Sequence, residues 1–266
     1  MAEVKSVRAG ENTGYVRFFK WFIIIASIAL GAELIWFLGI TPFRPFSRID
    51  ISGFTYYDHD SLLAYAGINP GSSYIFTNAG QTEALIAALP QIESVRVFKR
   101  FPDRLEINLV TRTASAFAFT QAAGVTVPFV FDRQGVIFQI GSGSAAGTTA
   151  DYPVISGLPV DQPVLGMRLP ARYLPLLEEL DKIRTNAPEL LSAVSEIHVD
   201  NKTSEGLDLT LYLLQYKIKV RLSDLNEELL RYSLLVADVL TAREPDIDMI
   251  DFRGAVASYY PKGGYL

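Results

Sequence analysis

The segment LPQIESVRVFKRFPDRLEINLVTR, residues 89–112, decides the fold of the first half of this chain. Apolar and polar side chains alternate on both sides of its centre, with Val95 and Val97 before it and Leu105 and Ile107 after it. A period of two is typical of a β-strand with one buried face. The intervening RFPDR contains a proline and an aspartate, which favour a turn. The segment therefore predicts a β-hairpin of two half-buried strands.

A third strand and two helices precede this hairpin. Ile49 and Ile51 alternate with polar neighbours, which predicts a short strand. An aspartate can then cap a helix over SLLAYA, and Gly67 stands where the end of a helix favours glycine. Asn78 begins a second helical pattern, which Pro90 ends. The order strand, helix, helix, strand, strand predicts a small α+β domain.

One long apolar segment comes before these elements. It runs from Trp21 to Ile40 and has the roughly 20 apolar residues that a membrane-spanning helix needs. Aromatic residues flank it as in an interfacial belt. Four basic residues precede it: Lys5, Arg8, Arg17 and Lys20. We expect a single uncleaved transmembrane helix over residues 21–40, with residues 1–20 as a cytoplasmic tail, because the run is too long for a cleaved signal and no A-x-A site follows.

Glu33 is the one carboxylate inside this apolar segment. An acid near the centre of a membrane helix costs about 2.5–3.5 kcal/mol on insertion scales. It is either a protonated acid that a very apolar helix tolerates, or a contact with the transmembrane helix of a partner. The second interpretation makes Glu33 a candidate site residue.

The elements after the anchor resemble the FtsQ-type POTRA domain. The resemblance rests on "IDISGF", on "GINPGSSYIF" and on the hairpin motif. In the hairpin it is carried by Leu89, Pro90, Ile92, Ser94, Val95, Val97, Arg100, Phe101, Pro102, Asp103, Leu105, Ile107 and Leu109. The usual E-R-x-P-x-A that follows is TRTASA here, which lacks the acid and the proline. The resemblance implies a POTRA domain over residues 46–113.

The rest of the chain predicts a second, mainly antiparallel β domain with flanking helices over residues 114–261, and a tail over 262–266. FVFDRQGVIFQI has the pattern of a hairpin, and GLDLTLYLLQYKIKVRL that of two alternating strands. Helices are expected over Pro170 to Arg184 and from a cap at Asp224 to about Leu240. DIDMIDFRGAVASYYPK predicts a final strand pair, and the family resemblance extends loosely to it.

Composition narrows the classes of function. The 266 residues are 49% hydrophobic and 20% charged, which excludes both a disordered chain and a polytopic membrane protein. A net charge of −5 gives no basic field for nucleic acid. The chain has no cysteine, so disulfides, thiolate nucleophiles and cysteine-ligated zinc are excluded.

The sequence contains no complete motif for an enzyme or for a cofactor. We expect neither catalysis nor a metal, cofactor or small-molecule ligand. The only two histidines, His59 and His198, are interpreted as a solvated cap and an outward strand residue. A G-x-G-x-x-A pattern over residues 141–146 is followed by TTADYP, which cannot open the helix that a dinucleotide site needs. Asp246, Asp248 and Asp251 lack the spacing of a calcium loop.

The resemblance implies a function. Members of the FtsQ/DivIB family are bitopic, non-enzymatic division proteins of the cell (inner) membrane. They recruit the small coiled-coil proteins FtsB (DivIC in Gram-positive bacteria) and FtsL to the septum through their last strands. Carried over to this chain, the partner-binding residues are Arg253, Gly254, Ala255, Val256, Ala257, Ser258, Tyr259 and Tyr260. An edge strand supports this expectation, because its unpaired N–H and C=O groups can bind a partner strand.

Other interpretations remain open at this point. The final residues could simply close the sheet and fray. The chain could also be a POTRA-bearing export or assembly component that captures extended polypeptides, although it has one module and no barrel strands with aromatic girdles. An envelope hydrolase is a third class, for which no catalytic constellation is found.

Overall fold

The computed structural model describes residues 13–53, 57–122, 124–141, 152–200, 207–244, 246–254 and 256–263. Contacts divide the chain into two compact units. The first unit comprises Met1–Gly53, Tyr57–Ile86 and Val95–Asn108; the second comprises Phe54–Tyr56, Ala87–Ser94 and Leu109–Leu266. The fold is α+β, as predicted: an apolar helix, a small module with a three-stranded sheet and a larger β-sheet domain.

The apolar segment is helical over its whole predicted length. Helix α1 (Thr13–Ile35) continues as a π-helical turn (Trp36–Ile40) and a short 3₁₀ turn (Thr41–Phe43). It is the one helix in the described chain that is long and apolar enough to cross a membrane. Its beginning differs from the prediction, because α1 takes in residues 13–20 of the expected tail. Residues 1–12 lie outside the described residues.

The module after the helix has the predicted element order. Its elements are β1 (Arg48–Ser52), α2 (His59–Tyr65), α3 (Ala79–Ala87), β2 (Ile92–Arg100) and β3 (Arg104–Thr111). The sheet order is β1-β3-β2, with β1 parallel to β3 from Arg48 opposite Arg104 to Ser52 opposite Asn108. The central strand is therefore the last in sequence.

Local capping explains where the two short helices begin and end. The Asp58 carboxylate accepts the Asp60 N–H at the start of α2. At its end Gly67 has a φ of 71°, and the N–H groups of Gly67 and Ile68 donate to carbonyls of the last turn, as in a Schellman motif. Asn78 accepts from two backbone N–H groups of α3 at 3.0 and 3.3 Å. The predicted caps of this module are confirmed.

The second domain is built on a nine-stranded mixed sheet. Its strands are β4 (Ala116–Ala122), β5 (Val125–Phe131), β6 (Ile137–Ile140), β7 (Val154–Ser156), β8 (Val194–Asp200), β9 (Asp208–Leu213), β10 (Lys219–Leu222), β11 (Ile247–Asp251) and β12 (Ser258–Pro261). Their order is β12-β11-β10-β9-β8-β7-β4-β5-β6. Neighbours are antiparallel except at β10–β11, β7–β8 and β4–β7. The sheet is therefore mainly antiparallel, as expected.

Helices cover the sheet and build its core. They are α4 (Leu174–Asn186), α5 (Pro188–Ser192) and α6 (Glu227–Arg243). Leu177 and Ile183 of α4 share one buried cluster with Leu209 and Leu211 of β9. The predicted inward face of β9 is thus confirmed. Each such side chain removed from water contributes about 1.5–3 kcal/mol.

Two boundaries in this domain differ from the prediction. The cap of α6 is Asn226, whose side-chain oxygen accepts the Leu229 N–H at 2.8 Å, and not Asp224. The Asp224 carboxylate instead accepts the N–H of Leu225, which is buried. Helix α6 also continues beyond the expected end, to Arg243. Both differences concern the ends of a correctly predicted helix. The exact terminal residue of a helix is the part that a sequence pattern determines least.

A buried ion pair lies within the second unit. Arg112 donates to the Asp132 carboxylate at 2.5 Å and to the Pro90 carbonyl at 3.0 Å. The two charged side chains are 11% and 3% exposed. Asp132 also accepts the N–H groups of Gln134 and Val136, which shapes the β5–β6 turn. Each of the two groups thus has further hydrogen bonds, and each is the counter-charge of the other in this ion pair.

We expect Asp132→Asn to lower the free energy of unfolding by about 3–5 kcal/mol, because it leaves the Arg112 guanidinium buried without a counter-charge. Chemical denaturation of the purified protein measures this. The matched control is Arg133→Gln, which breaks the exposed pair with Glu93 and should change stability by no more than about 1 kcal/mol. Equal losses from the two variants would contradict a special role for the buried pair.

Candidate partner-binding edge

Strand β12 forms one margin of the nine-stranded sheet. It pairs with β11 alone among the described strands, with Met249 opposite Tyr260 and Ile250 opposite Tyr259. All four residues of β12 are exposed. Successive backbone groups of a strand point to alternate sides, so one row of N–H and C=O groups faces away from β11. No described strand lies on that side.

The opposite margin of the sheet is covered. Strand β6 lies beside the segment 166–169: the Ile137 N–H donates to the Met167 carbonyl at 2.8 Å, and the Gly166 N–H to the Ile137 carbonyl at 2.7 Å. The Leu169 N–H donates to the Gly135 carbonyl at 2.8 Å. The chain thus satisfies the backbone groups of Ile137 at one margin, whereas no segment in the described part of the chain pairs with the outer side of β12.

The strand occupies only part of the predicted binding stretch. Of the residues Arg253 to Tyr260, only Ser258, Tyr259 and Tyr260 belong to β12, and the residues before them form its connection to β11. The predicted binding stretch therefore includes both the connection and the strand. Strand β11 ends at Asp251, and the next residues turn the chain back. Ala255 and Tyr265 lie outside the described residues.

Arg253 holds this connection in place. Its guanidinium donates to Asp251 at 2.7 Å and to Asp208 at 2.6 Å, and its backbone N–H donates to Asp251 at 3.0 Å. The hydrogen bonds from Arg253 keep the pKa of the Asp251 carboxyl below its ordinary value, and the pKa of Arg253 is raised. Arg253 is thus committed to two carboxylates of the chain and positions the edge.

The side chains best placed to meet a partner are apolar or aromatic. Val256 is 78% exposed, Tyr259 about half and Tyr260 about a third. The Tyr259 hydroxyl donates to Glu244, the residue that follows α6, at 3.4 Å. Aromatic side chains of this kind are enriched at the energetic centres of protein interfaces.

An exposed stripe on α6 lies beside this edge and was missed in the sequence. Tyr232, Leu235 and Val239 are exposed at helical spacing on α6. The Tyr232 ring makes an edge-on contact with Phe252, which follows β11, with centroids 5.8 Å apart. The spacing i, i+3, i+7 is the signal in the sequence. A stripe with this spacing is ordinarily the buried face of a helix. In α6 the buried face is a different one, which carries Leu230, Ser233 and Ala237.

The other candidate residue, Glu33, is exposed on α1. It makes no hydrogen bond or ion pair with any residue that the structure describes. A carboxylate on an otherwise apolar helix surface is thus free to meet another helix. Its role remains a prediction.

The histidines do not form a catalytic constellation. His59 lies at the start of α2, 3.5 Å from the Asp60 carboxylate. His198 approaches the Ser156 hydroxyl at 2.8 Å, and that hydroxyl donates to Glu196. In a Ser-His-acid triad the acid orients the histidine and the histidine takes the serine proton. Here the serine proton is directed to the acid, so this cluster has the wrong connectivity for a nucleophile.

The remaining candidate sites lie partly outside the described residues or have other contacts. Residues 142–151, which hold most of the glycine-rich pattern, lie outside the described residues. Asp251 is bound to Arg253, and Asp248 is 3.5 Å from Lys219. The described part of the chain contains no group of three or more His, Cys, Asp or Glu residues suited to a metal ion.

An apolar helix, a POTRA module and a sheet domain with one open margin define a class of membrane-anchored interaction proteins. Two family models match the chain: "POTRA domain, FtsQ-type" at residues 44–112 and "Cell division protein FtsQ/DivIB, C-terminal" at residues 124–253. The chain belongs to the FtsQ/DivIB family of cell division proteins. The resemblance inferred from the sequence is thus confirmed.

Similar curated proteins carry the same family names. Cell division protein DivIB of Bacillus cytotoxicus is 25% identical over 221 residues, covering 83% of this chain and 77% of that protein. Cell division protein FtsQ of a Geobacter species, strain M21, is 25% identical over 207 residues, covering 77% and 70%. FtsQ of Syntrophotalea carbinolica is 28% identical over 212 residues, covering 77% and 69%. This family is a scaffold-type family and not a known enzyme family.

We expect the β11–β12 connection to loosen in acid. Because the folded-state pKa of Asp251 is lowered, its contribution to stability is complete above the ordinary aspartate value of about 3.9 and is lost as the pH falls through the lowered value. Amide hydrogen exchange of β12, followed against pH by NMR, measures this. The Asp251→Asn variant should lack the acid step; a step of the same size in both proteins would contradict the assignment.

Proposed function

We propose that this protein is a non-enzymatic scaffold of the bacterial divisome that recruits small coiled-coil division proteins by strand addition at β12. Family membership supports the divisome role, and the contrast between the two sheet margins supports the site. The margin at β6 is covered by the chain's own backbone, and the margin at β12 pairs on one side only. Partners of the FtsB or DivIC type and the FtsL type are those that the resemblance implies.

The chemistry of such a contact is backbone pairing. A partner segment in extended conformation aligns its N–H and C=O groups with the outward row of β12, as in other cases of β-augmentation. Main-chain hydrogen bonds supply affinity, and side chains at alternate positions supply selectivity. Tyr259 and Tyr260 of β12 are the aromatic contacts that we assign to this role.

The neighbouring helix extends the same surface. The exposed stripe of Tyr232, Leu235 and Val239 on α6 offers apolar area close to the added strand. Arg253 holds the turn before β12 and so reduces the entropy lost when the edge is engaged. Backbone pairing and apolar contact together can therefore select one partner.

The family assignment favours this function over an export or assembly component. Depletion of the protein separates the two, since loss of a division scaffold gives filamentous cells and loss of an assembly component leaves division normal. We propose that α1 spans the cell membrane with the N-terminus in the cytoplasm, and that the POTRA module and the sheet domain act outside it at the septum. The aromatic residues at both ends of the helix support the crossing, and the basic residues before it support this orientation.

Proline substitutions test strand addition directly. Successive N–H groups point to opposite sides, so one of Tyr259→Pro and Tyr260→Pro removes a donor on the open side of β12 and the other removes a donor to β11. We expect the variant that loses the donor on the open side to weaken partner affinity about tenfold or more, with little change in melting temperature. Affinity is measured with the full chain in lipid nanodiscs and the purified partner.

Three controls accompany this experiment. Tyr259→Ala and Tyr260→Ala keep the backbone N–H groups and report the side chains alone. Val125→Glu changes an exposed apolar residue at the start of β5 and should leave affinity unchanged. Wild-type affinity in both proline variants, with normal melting, would place the partner elsewhere on the molecule.

Glu33→Leu is expected to weaken recovery of a membrane partner in co-purification from detergent, because it removes the one carboxylate from the surface of α1. It should not impair insertion, since leucine is more favourable than glutamate in a membrane helix. Ser27→Leu changes another face of the same helix and serves as the control. Equal partner recovery with wild type and Glu33→Leu would remove Glu33 from the interface.

A further inference from the structure

Aromatic rings of the POTRA module contact the end of the apolar helix within the first unit. Phe101, in the β2–β3 hairpin, meets Phe37 with ring centroids 5.4 Å apart and Tyr74 at 5.7 Å. Phe76, in the loop between α2 and α3, meets Phe43 at 6.1 Å. Two loops that are distant in sequence therefore meet at one place, where the apolar helix ends.

Backbone hydrogen bonds hold these loops to the chain that leaves the helix. The Ile75 N–H donates to the Pro42 carbonyl at 3.3 Å, and the Phe46 N–H donates to the Ser72 carbonyl at 3.0 Å. The Ser47 N–H donates to Asp103 in the hairpin at 2.9 Å. The position of the loops relative to the helix end is thus set by main-chain contacts and by ring contacts.

The apolar side chains at this place are exposed to solvent. Phe76 is 77% exposed, Phe43 55%, Ile75 49% and Phe101 44%. Exposed apolar side chains in one patch mark an interaction surface. Lys99 contacts the base of this patch. Its ammonium lies 4.7 Å above the Tyr74 ring and donates to the carbonyls of Tyr74 and Thr77. The patch is therefore an ordered surface with uncovered apolar tips.

The depth of this patch follows from its contacts with the helix. Phe37 belongs to the apolar span Arg17–Phe43. At about 1.5 Å per residue, the part of the helix after Phe37 advances only about 9 Å. The headgroup region on each side of a bilayer is about 5–8 Å thick. If the span crosses the membrane and Phe43 reaches the outer edge of the headgroups, a ring in contact with Phe37 lies near the boundary between headgroups and hydrocarbon.

Two basic residues adjoin the same patch along the chain. Arg44 follows the helix, and Arg104 follows the hairpin; both are exposed, and neither makes an ion pair with a described residue. A guanidinium group matches the geometry of a phosphate in two parallel hydrogen bonds. Aromatic residues with cations beside them are the combination that suits a membrane interface.

We propose that the loop 74–77 and the hairpin 100–104 form a second, peripheral contact with the phospholipid surface. Ile75, Phe76 and Phe101 enter the interface, and Arg44 and Arg104 bind headgroup phosphates. The proposal rests on the proposed crossing of the membrane by α1, and it adds that the POTRA module is docked on the bilayer. Other occupants of this patch, such as a second copy or a partner chain, are outcomes of the test below.

The absence of cysteine makes the test direct, since each single-cysteine variant carries one fluorescent label. Phe76→Cys and Phe101→Cys report the patch. Ile25→Cys reports α1. Asp60→Cys is the matched control, because it is exposed at the start of α2, which follows the end of β1 away from the hairpin. The full chain is placed in nanodiscs of equal parts phosphatidylcholine and phosphatidylglycerol, with and without nitroxide-labelled lipid.

The expected result is a blue-shifted emission and strong lipid quenching at positions 76, 101 and 25, with neither effect at 60. Quenching at 25 but not at 76 or 101 overturns the lipid contact and leaves the membrane crossing intact. Absence of quenching at positions 25, 76 and 101 overturns both the lipid contact and the membrane crossing. Labels at 76 and 101 that are shielded from water-soluble quencher without lipid quenching identify a protein occupant, and so overturn the proposal as well.

A second variant separates docking from local unfolding. Ile75→Asp places a charge in the patch and keeps the backbone N–H that donates to Pro42. In the Phe101→Cys background it should remove most of the lipid quenching at position 101 and leave the circular dichroism spectrum unchanged. Undiminished quenching with an unchanged spectrum contradicts insertion of this loop.

Discussion

Backbone groups at the margin of a sheet must pair with something, and this constraint organises the second domain. A strand inside a sheet satisfies both rows of its N–H and C=O groups, whereas a margin strand satisfies one. The chain resolves the problem at β6 by placing the segment 166–169 alongside it. At β12 no described strand lies alongside the outer row. Because of this difference, a further strand could pair with the sheet at β12 but not at the covered part of β6.

The open margin is held in position by charge. Arg253 joins Asp251, at the end of β11, to Asp208, at the start of β9, and so ties the turn before β12 to the interior of the sheet. Partial burial strengthens such contacts, because the charged groups lose less to solvent screening. A flexible edge would have to be ordered at the moment of binding, and an edge fixed in advance avoids that loss of entropy. The contacts of Arg253 therefore order the turn before β12 within the chain itself.

Much of the fold follows from local patterns, and most of the errors are also local. Alternation at Val95, Val97, Leu105 and Ile107 predicts the hairpin, and the caps at Asp58 and Asn78 place the two short helices. The pattern could not choose between Asp224 and Asn226 as the cap of α6, because both can accept a backbone N–H. The pattern also gave no sign that the Arg253 side chain binds Asp208, which lies far from it in sequence.

The sequence by itself determined the apolar helix, the order of the POTRA elements and the family, because each depends on residues close together in the chain. Only the tertiary structure decided which strand stands at an open margin, which margin is covered, and that Phe37 meets Phe101. These features join residues far apart in sequence, such as Asp208 with Arg253 and Ile137 with Met167. Periodicity and propensity carry information about neighbours along the chain, whereas pairing between distant segments depends on how the whole sheet packs.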